Sequence, residues 1–471
     1  MIYDIVLLVI FLVFTSVFLY KRRENLKREG LLWLYKTKVG MRIIEHIGKK
    51  YTKLLNFLSY LSIIIGFFLM ATMLYLFGKI VWTYIFHNEI VSLIKIPPIA
   101  PLLPYLPQIF KVNYLPPFYF IYWIIVLAIV AISHEFSHGI FAVNKKVRIK
   151  STGIGFFPFF LPIFLAAFVE LDEKKMEKKK IQNQMAILSA GTFANLLIAI
   201  LSFGILVLFF SLAFTPSGVV FDTYTYSAVG ISAITSINEV NVSNIAFDKL
   251  LYFANTTGIS EIKAGNKSYF ATESFLESQS GINEYVLLYD DAPAIKANLS
   301  NTIIKLNGIA ITSREKLGDE LMKYSPGDKV TITILEDGTD KDYEIALGKN
   351  PLNESQSYLG VGFISRQSSG ILGTLMSAFN FKNPAVYYAP NFEAAEFIYN
   401  FLWWLVLIGF SVALVNMLPV GIFDGGRFFY LAMFAITKSK KWAKRMFKIV
   451  TYVFLLLVLV MMIFWAIGLF K

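Results

Sequence analysis

His134-Glu-Phe-Ser-His138 sets two imidazoles four residues apart with a carboxylate beside the first. On an α-helix that spacing is close to one turn, so both rings project from one face. Rings so placed can share a zinc ion, and Glu135 stands where a general base would take a proton from water. A catalytic zinc normally has three protein ligands and one open position. The chain has 4 histidines and no cysteine, so the third ligand is His46, His87 or a carboxylate. His46 lies in a basic segment and His87 at the far end of an apolar run, both ordinary places for interfacial histidines. Asp424, in Asn416-Met-Leu-Pro-Val-Gly-Ile-Phe-Asp-Gly-Gly-Arg427, follows another apolar run. A carboxylate there is costly unless it faces a cation. Pro419 and the Gly425-Gly426 pair are expected to break the helix and let the chain bend toward a metal. One zinc ion per chain, held by His134, His138 and Asp424, is the chemistry these residues point to.

The elements that carry them read as membrane spans. Apolar residues make up 56% of the chain and mean hydropathy is +0.59, outside the range of soluble domains. Phe118 to Ser133, just before the motif, carries no charge. Apolar runs near 2–20, 54–78, 118–143, 185–214, 396–418 and 447–470 are each long enough to cross a bilayer. The expected fold is a polytopic α-helical membrane protein with about six transmembrane helices. The first run lacks a basic stretch before it and is followed by Lys21-Arg22-Arg23, which reads as an anchor and not as a cleaved signal.

Basic residues orient these spans. Segments 21–53, 144–184 and 438–448 hold 26 of the 44 Lys and Arg residues, and they follow the first, third and fifth runs. By the positive-inside tendency these loops are cytoplasmic and both termini lie outside. The net charge of +12 comes from loops beside the spans, which suits anionic lipid and argues against a nucleic-acid partner. Eleven residues separate His134 from Lys145, about 16 Å of helix, so the metal is expected within the membrane, nearer its cytoplasmic side.

Residues 216–370 differ in kind, with 19 acidic and 12 basic residues and the alternating pattern of strands, as in Val330-Thr-Ile-Thr-Ile-Leu335. The charge topology places this region outside the cell. The chain's Asn-x-Ser/Thr sequons, at Asn241, Asn255, Asn266, Asn298 and Asn353, all begin within it. Ile234-Thr-Ser-Ile-Asn-Glu-Val-Asn-Val242 aligns with Ile303-Ile-Lys-Leu-Asn-Gly-Ile-Ala-Ile311 at a shift of 69 residues, which also carries Gly258 onto Gly327. The second copy, through Ser325-Pro-Gly-Asp-Lys-Val330 to Gly338, resembles a PDZ domain, and the first is a weaker match. The resemblance implies an extracytoplasmic α+β region of two PDZ-like domains, a fold that binds extended peptide at a sheet edge.

His134-Glu135-x-x-His138, then Gly191-Thr-Phe-Ala-Asn195, then Asn416-x-x-Pro419 with Asp424-Gly425-Gly426 occur in the order seen in the site-2 protease family. The chain resembles these intramembrane zinc metalloproteases over 116–214 and 396–430. The resemblance implies that Glu135 is the catalytic acid/base, that His134, His138 and Asp424 hold zinc, and that Asn195 and Asn416 bind substrate backbone or the oxyanion. It implies cleavage of transmembrane segments of membrane-anchored regulatory proteins already shortened by another protease. Ser137 and Thr192 stand where many members have glycine and proline, positions the mechanism does not need. Gly155 to Phe164 is apolar but interrupted by Pro158 and Pro162, so it is expected to dip into the membrane and return, and the resemblance implies that it offers an edge strand to substrate. The organisation read this way is an N-terminal transmembrane pair with a basic loop (1–115), a protease core (116–215), the tandem PDZ-like region (216–370), and the remaining core with the last span (371–471). A catalytically inactive homologue that binds membrane proteins through its PDZ-like domains is the alternative. A transporter does not suit spans made mostly of Leu, Ile, Phe and Val.

Overall fold

The computed structural model describes residues 2–29, 32–87, 91, 97, 102–112, 115–156, 165–243, 245–254, 258–279, 284–336, 338–363 and 381–469. The chain forms two compact units, one of residues 1–210 and 396–471 and one of residues 211–395. Among the described residues six helices are long and apolar enough to cross a membrane. They are α1 (Ile2–Lys21), α3 (Thr52–Phe86), α4 (Phe120–Asn144), α5 (Ile181–Ala213), α8 (Ala395–Val415) and α10 (Lys440–Leu469); shorter helices are α2 (Met41–Lys50) and α9 (Asp424–Thr437).

The membrane helices form because their runs of Leu, Ile, Phe and Val leave backbone groups no partner in lipid except one another. Small and polar residues mark where they meet. Ser189 Oγ on α5 donates to Ser62 Oγ on α3 at 3.1 Å, with both residues fully buried. Beside them, Gly66 leaves room for Phe428 and Met417. The N-terminus of α4 is secured from α1: Asp4 accepts from the backbone N–H groups of Phe120 (2.8 Å) and Ile121 (3.0 Å) and from the Tyr105 hydroxyl. Those amides are among the four that a helix start leaves unpaired.

On the side of the basic loops lies a four-stranded antiparallel sheet in the order β1-β2-β3-β4. Its strands are β1 (Leu26–Glu29), β2 (Leu32–Thr37), β3 (Ile149–Phe156) and β4 (Leu165–Leu171). Of the segment expected to dip and return, only Gly155 and Phe156 are described, at the end of β3, and β4 follows residues 157–164. Those residues, Pro158 and Pro162 included, lie outside the described set. Gly153 sits in the middle of the sheet because a side chain there would meet the Tyr35 carbonyl at 2.2 Å. Across this gap Lys36 Nζ reaches Glu170 at 2.9 Å, and Ser151 Oγ donates to the same carboxylate at 2.6 Å, tying β2, β3 and β4 together. These two bonds hold the Glu170 carboxyl below the usual carboxylate range, the hydroxyl bond contributing most.

The second unit is built on short strands: β5 (Phe214–Val220), β6 (Thr223–Tyr224), β7 (Tyr226–Gly230), β8 (Ile234–Ile237), β9 (Val240–Asn241), β10 (Ile259–Ala264), β11 (Lys267–Thr272), β12 (Tyr285–Asp290), β13 (Thr302–Leu306), β14 (Ile309–Ala310), β15 (Lys329–Glu336), β16 (Thr339–Ala346), β17 (Gly348–Asn350), β18 (Asn353–Tyr358), β19 (Val361–Gly362) and β20 (Val386–Pro390). One sheet runs β7-β12-β11-β10-β8-β9 and another β16-β15-β13-β5-β20 with β14 on β13. Each contains the same set: a hairpin, a helix (α6, Phe247–Ala254, or α7, Arg314–Leu321), then a second hairpin paired to the first.

The 69-residue shift recurs in the backbone. Asn238 and Glu239 (φ 48° and 68°) correspond to Asn307 and Gly308 (φ 47° and 78°), and Gly258 (φ 73°) to Gly327 (φ 94°). Both asparagines make the same clamp. Asn238 Oδ1 accepts from Glu261 N at 3.0 Å, and Asn307 Oδ1 from Thr331 N at 2.7 Å. Asparagine suits these places because its side chain can bond locally while its backbone is left-handed.

Candidate metal centre and active site

Four elements of the first unit build the site. α4 carries His134, Glu135 and His138; α5 packs against the histidine face; α9 begins at Asp424; β4 runs beside α4. The polypeptide leaves α8 at Val415, turns through 416–423 and re-enters a helix at Asp424. Two glycines make this turn compact. A side chain on Gly425 would lie 2.3 Å from the Met417 carbonyl carbon, and one on Gly426 would lie 2.3 Å from the Val420 oxygen. Asp424 occupies the first turn of α9, where the helix dipole favours a negative group.

This fold brings His134, His138 and Asp424 together. Asp424 Oδ2 lies 3.1 Å from His134 Nε2 and 3.1 Å from His138 Nε2, and the two nitrogens are 3.0 Å apart. Both histidines are buried and the carboxylate is partly so. Tetrahedral zinc with ligands near 2.0–2.1 Å places its donors about 3.3 Å apart, so this triangle fits such an ion with small adjustment. The rings are aimed by their far nitrogens. His138 Nδ1 faces the Ile187 carbonyl at 2.6 Å, an acceptor that fixes the proton there and frees Nε2 to ligate. His134 Nδ1 lies 3.1 Å from the side-chain amide of Asn195, whose other end is 3.3 Å from Ser133 Oγ.

The histidines come this close to α5 because Gly191 has no side chain: one there would lie 2.4 Å from His138 Nε2. The importance of this glycine shows once the rotation of α5 places it opposite the rings. Asn195 is fully buried against His134, whereas Asn416 is half-buried and lines the cavity. Among the described residues the Asn416 side chain has no hydrogen-bond partner. Neither His46 nor His87 belongs to the cluster.

Glu135 lies on the same cavity, which is of about 840 Å³ and is also lined by Val130, Ala167, Val169 and Ile422. Its Oε2 accepts from the Val169 backbone N–H at 2.9 Å, and among the described residues its other oxygen has no hydrogen-bond partner. Val169 belongs to β4, which pairs only with β3 among the described residues. The N–H that bonds Glu135 therefore points off the open edge, and Ala167, two residues along, presents its backbone to the same side. Lys150, Glu170, Glu173 and Arg427 also line the cavity, with Arg427 Nη1 and Glu173 Oε1 3.2 Å apart.

A family model described as Peptidase family M50 matches residues 122–461, most of the chain and all of the elements just described. The chain belongs to this family, that of the site-2 proteases. Membership of this family and its six apolar helices make it a membrane-embedded protein. The family match begins after α1 and α3. An uncharacterized protein of Methanocaldococcus jannaschii is 31% identical over 209 residues, 43% of this chain and 50% of that protein. The chain thus spans about half the length of this curated relative.

Proposed function

We propose that this M50 member is a zinc-dependent endopeptidase that cleaves transmembrane segments of membrane-anchored regulatory proteins below the membrane surface. The observation that carries the reading is the triangle of His134, His138 and Asp424 donors, with Glu135 on the same cavity. Zinc held there would supply a Lewis acid for the scissile carbonyl and a water acidified to a pKa near 7.

The chain's own groups do the rest. Glu135 takes a proton from water at its free oxygen and passes it to the leaving amine, while Val169 N–H keeps the carboxylate oriented. Asn416, with a free amide facing the cavity, donates to the substrate carbonyl or backbone. Asn195 is better read as a positioning residue. With Nε2 of His134 given to a metal, Nδ1 carries the proton and the amide turns its oxygen to it; Ser133 Oγ, which donates to the Val130 carbonyl at 3.0 Å, then accepts from the amide NH2.

A substrate helix has its carbonyls bonded internally, so cleavage requires local unwinding. The open edge of β4 offers the unwound strand replacement partners beside Glu135. In this reading the basic loops are cytoplasmic, both termini and residues 216–370 are extracytoplasmic, and the two repeats are PDZ-like domains that meet substrates already trimmed by another protease. The test is Glu135→Gln in membranes holding a transmembrane reporter. Cleavage is expected to fall by about 10²–10⁴ with zinc kept near one per chain. Undiminished cleavage would overturn the assignment.

A further inference from the structure

Away from the metal cluster, a second cavity of about 260 Å³ opens where α3, α4 and α5 meet at the end bearing the basic loops. Asn56, Ser59 and Tyr60 of α3, Lys145 just past α4, and Gln182 and Asn183 of α5 line it. So dense a polar lining is unusual beside helices whose outward faces are apolar. On α3 itself Leu54, Phe57 and Ile64 are more than half exposed, which places the cavity mouth on the lipid-facing surface.

The lining is rich in donors and poor in negative charge. Lys145 Nζ donates to Asn56 Oδ1 at 2.8 Å, and among the described residues no carboxylate pairs with it. The Asn56 oxygen is thereby used, leaving its NH2 group, the Tyr60 hydroxyl and the two α5 amides to face a ligand. Ser59 is already bonded to the Leu55 carbonyl at 2.7 Å. Burial pushes the Lys145 ammonium below its ordinary range, the condition that an anion relieves. Lys49, Lys50, Lys53, Lys146 and Lys180 lie nearby in sequence and raise the local concentration of anions.

We propose that this cavity binds a phosphate group, and that its usual source is the headgroup of an anionic phospholipid. A phosphodiester offers several acceptor oxygens to clustered N–H and O–H donors, and basic pockets between spans at the membrane surface suit such headgroups. The apolar faces beside the mouth suit the acyl chains. The site is separate from the metal centre and does not depend on the peptidase reading.

The experiment places the full chain in nanodiscs of phosphatidylcholine with a minor fraction of phosphatidylglycerol and weighs retained lipid by native mass spectrometry. Wild type is expected to enrich phosphatidylglycerol. Lys145→Met is expected to cut that enrichment about five-fold, the factor for one interfacial cation, while Lys145→Arg and the distant Lys440→Met keep it. A second arm titrates lipid-stripped protein in detergent with inorganic phosphate. Saturable binding lost in Lys145→Met but without lipid enrichment would support the phosphate site and assign it to a soluble ligand. No enrichment and no phosphate binding, or equal behaviour of wild type and a folded Lys145→Met, would overturn the proposal.

Discussion

A methyl group at Gly191 would stand 2.4 Å from His138 Nε2 and 2.6 Å from His134 Nε2. The α5 backbone and the two imidazoles therefore share a space with no room for an added carbon. Gly191→Ala is expected to push the rings off the Asp424 side, lowering bound zinc at least ten-fold and cleavage with it. The helix itself should persist, since alanine favours helix more than glycine does. Zinc content and circular dichroism on the purified variant check this together.

The two asparagines should separate by readout. Asn195→Leu removes the partner of His134 Nδ1 and is expected to weaken zinc affinity about 10–100-fold. Asn416→Ala is expected to leave zinc bound and lower kcat about 10²-fold, in the range of a lost oxyanion donor. Chelator competition and reporter kinetics on both variants distinguish the roles. Equal zinc affinities would refute the positioning role of Asn195.

Strand addition at β4 makes a backbone prediction. Ala167→Pro removes an N–H from the open edge without touching one that pairs with β3. Cleavage of a helical reporter is expected to fall more than ten-fold, while a short unstructured peptide, which needs no strand to unwind it, is spared. Equal losses on both substrates would count against the edge.

The Lys36–Glu170–Ser151 tie carries a pH dependence of defined sign. Because the folded carboxyl titrates below its unfolded value, its stabilisation is present above the unfolded value near 4.3 and fades as pH falls through the lower folded one. Lys36→Met and Ser151→Ala should lower the melting temperature at pH 7, and their deficit relative to wild type should shrink toward pH 3. A deficit independent of pH would mean that packing, not charge, holds the strands.

Much of the site was legible in sequence because its chemistry is carried by rare residue types. Only four histidines occur, and Glu135 and Asp424 stand out in apolar surroundings. The spans lie within a few residues of the apolar runs, except that α3 extends to Phe86 and α10 begins at Lys440, where helices continue past the apolar stretch. The β1–β2 hairpin was hidden. Leu26-Lys-Arg-Glu29 reads as a charged loop, and β2, besides pairing with β1, pairs with β3 more than a hundred residues later. The burial of Asn195 was equally hidden, since it depends on the rotation of α5 about its own axis.

The main-chain link from Gly425 N to Asn416 O, 2.7 Å long, gears Asp424, the metal ligand we propose, to Asn416, the amide we propose for substrate, across one tight turn. Displacing the Asp424 carboxylate is expected to drag the Asn416 end of that turn with it. Stripping the ion should therefore blunt the grip on substrate as well as stop the chemistry, so the demetallated protein makes a poor substrate trap.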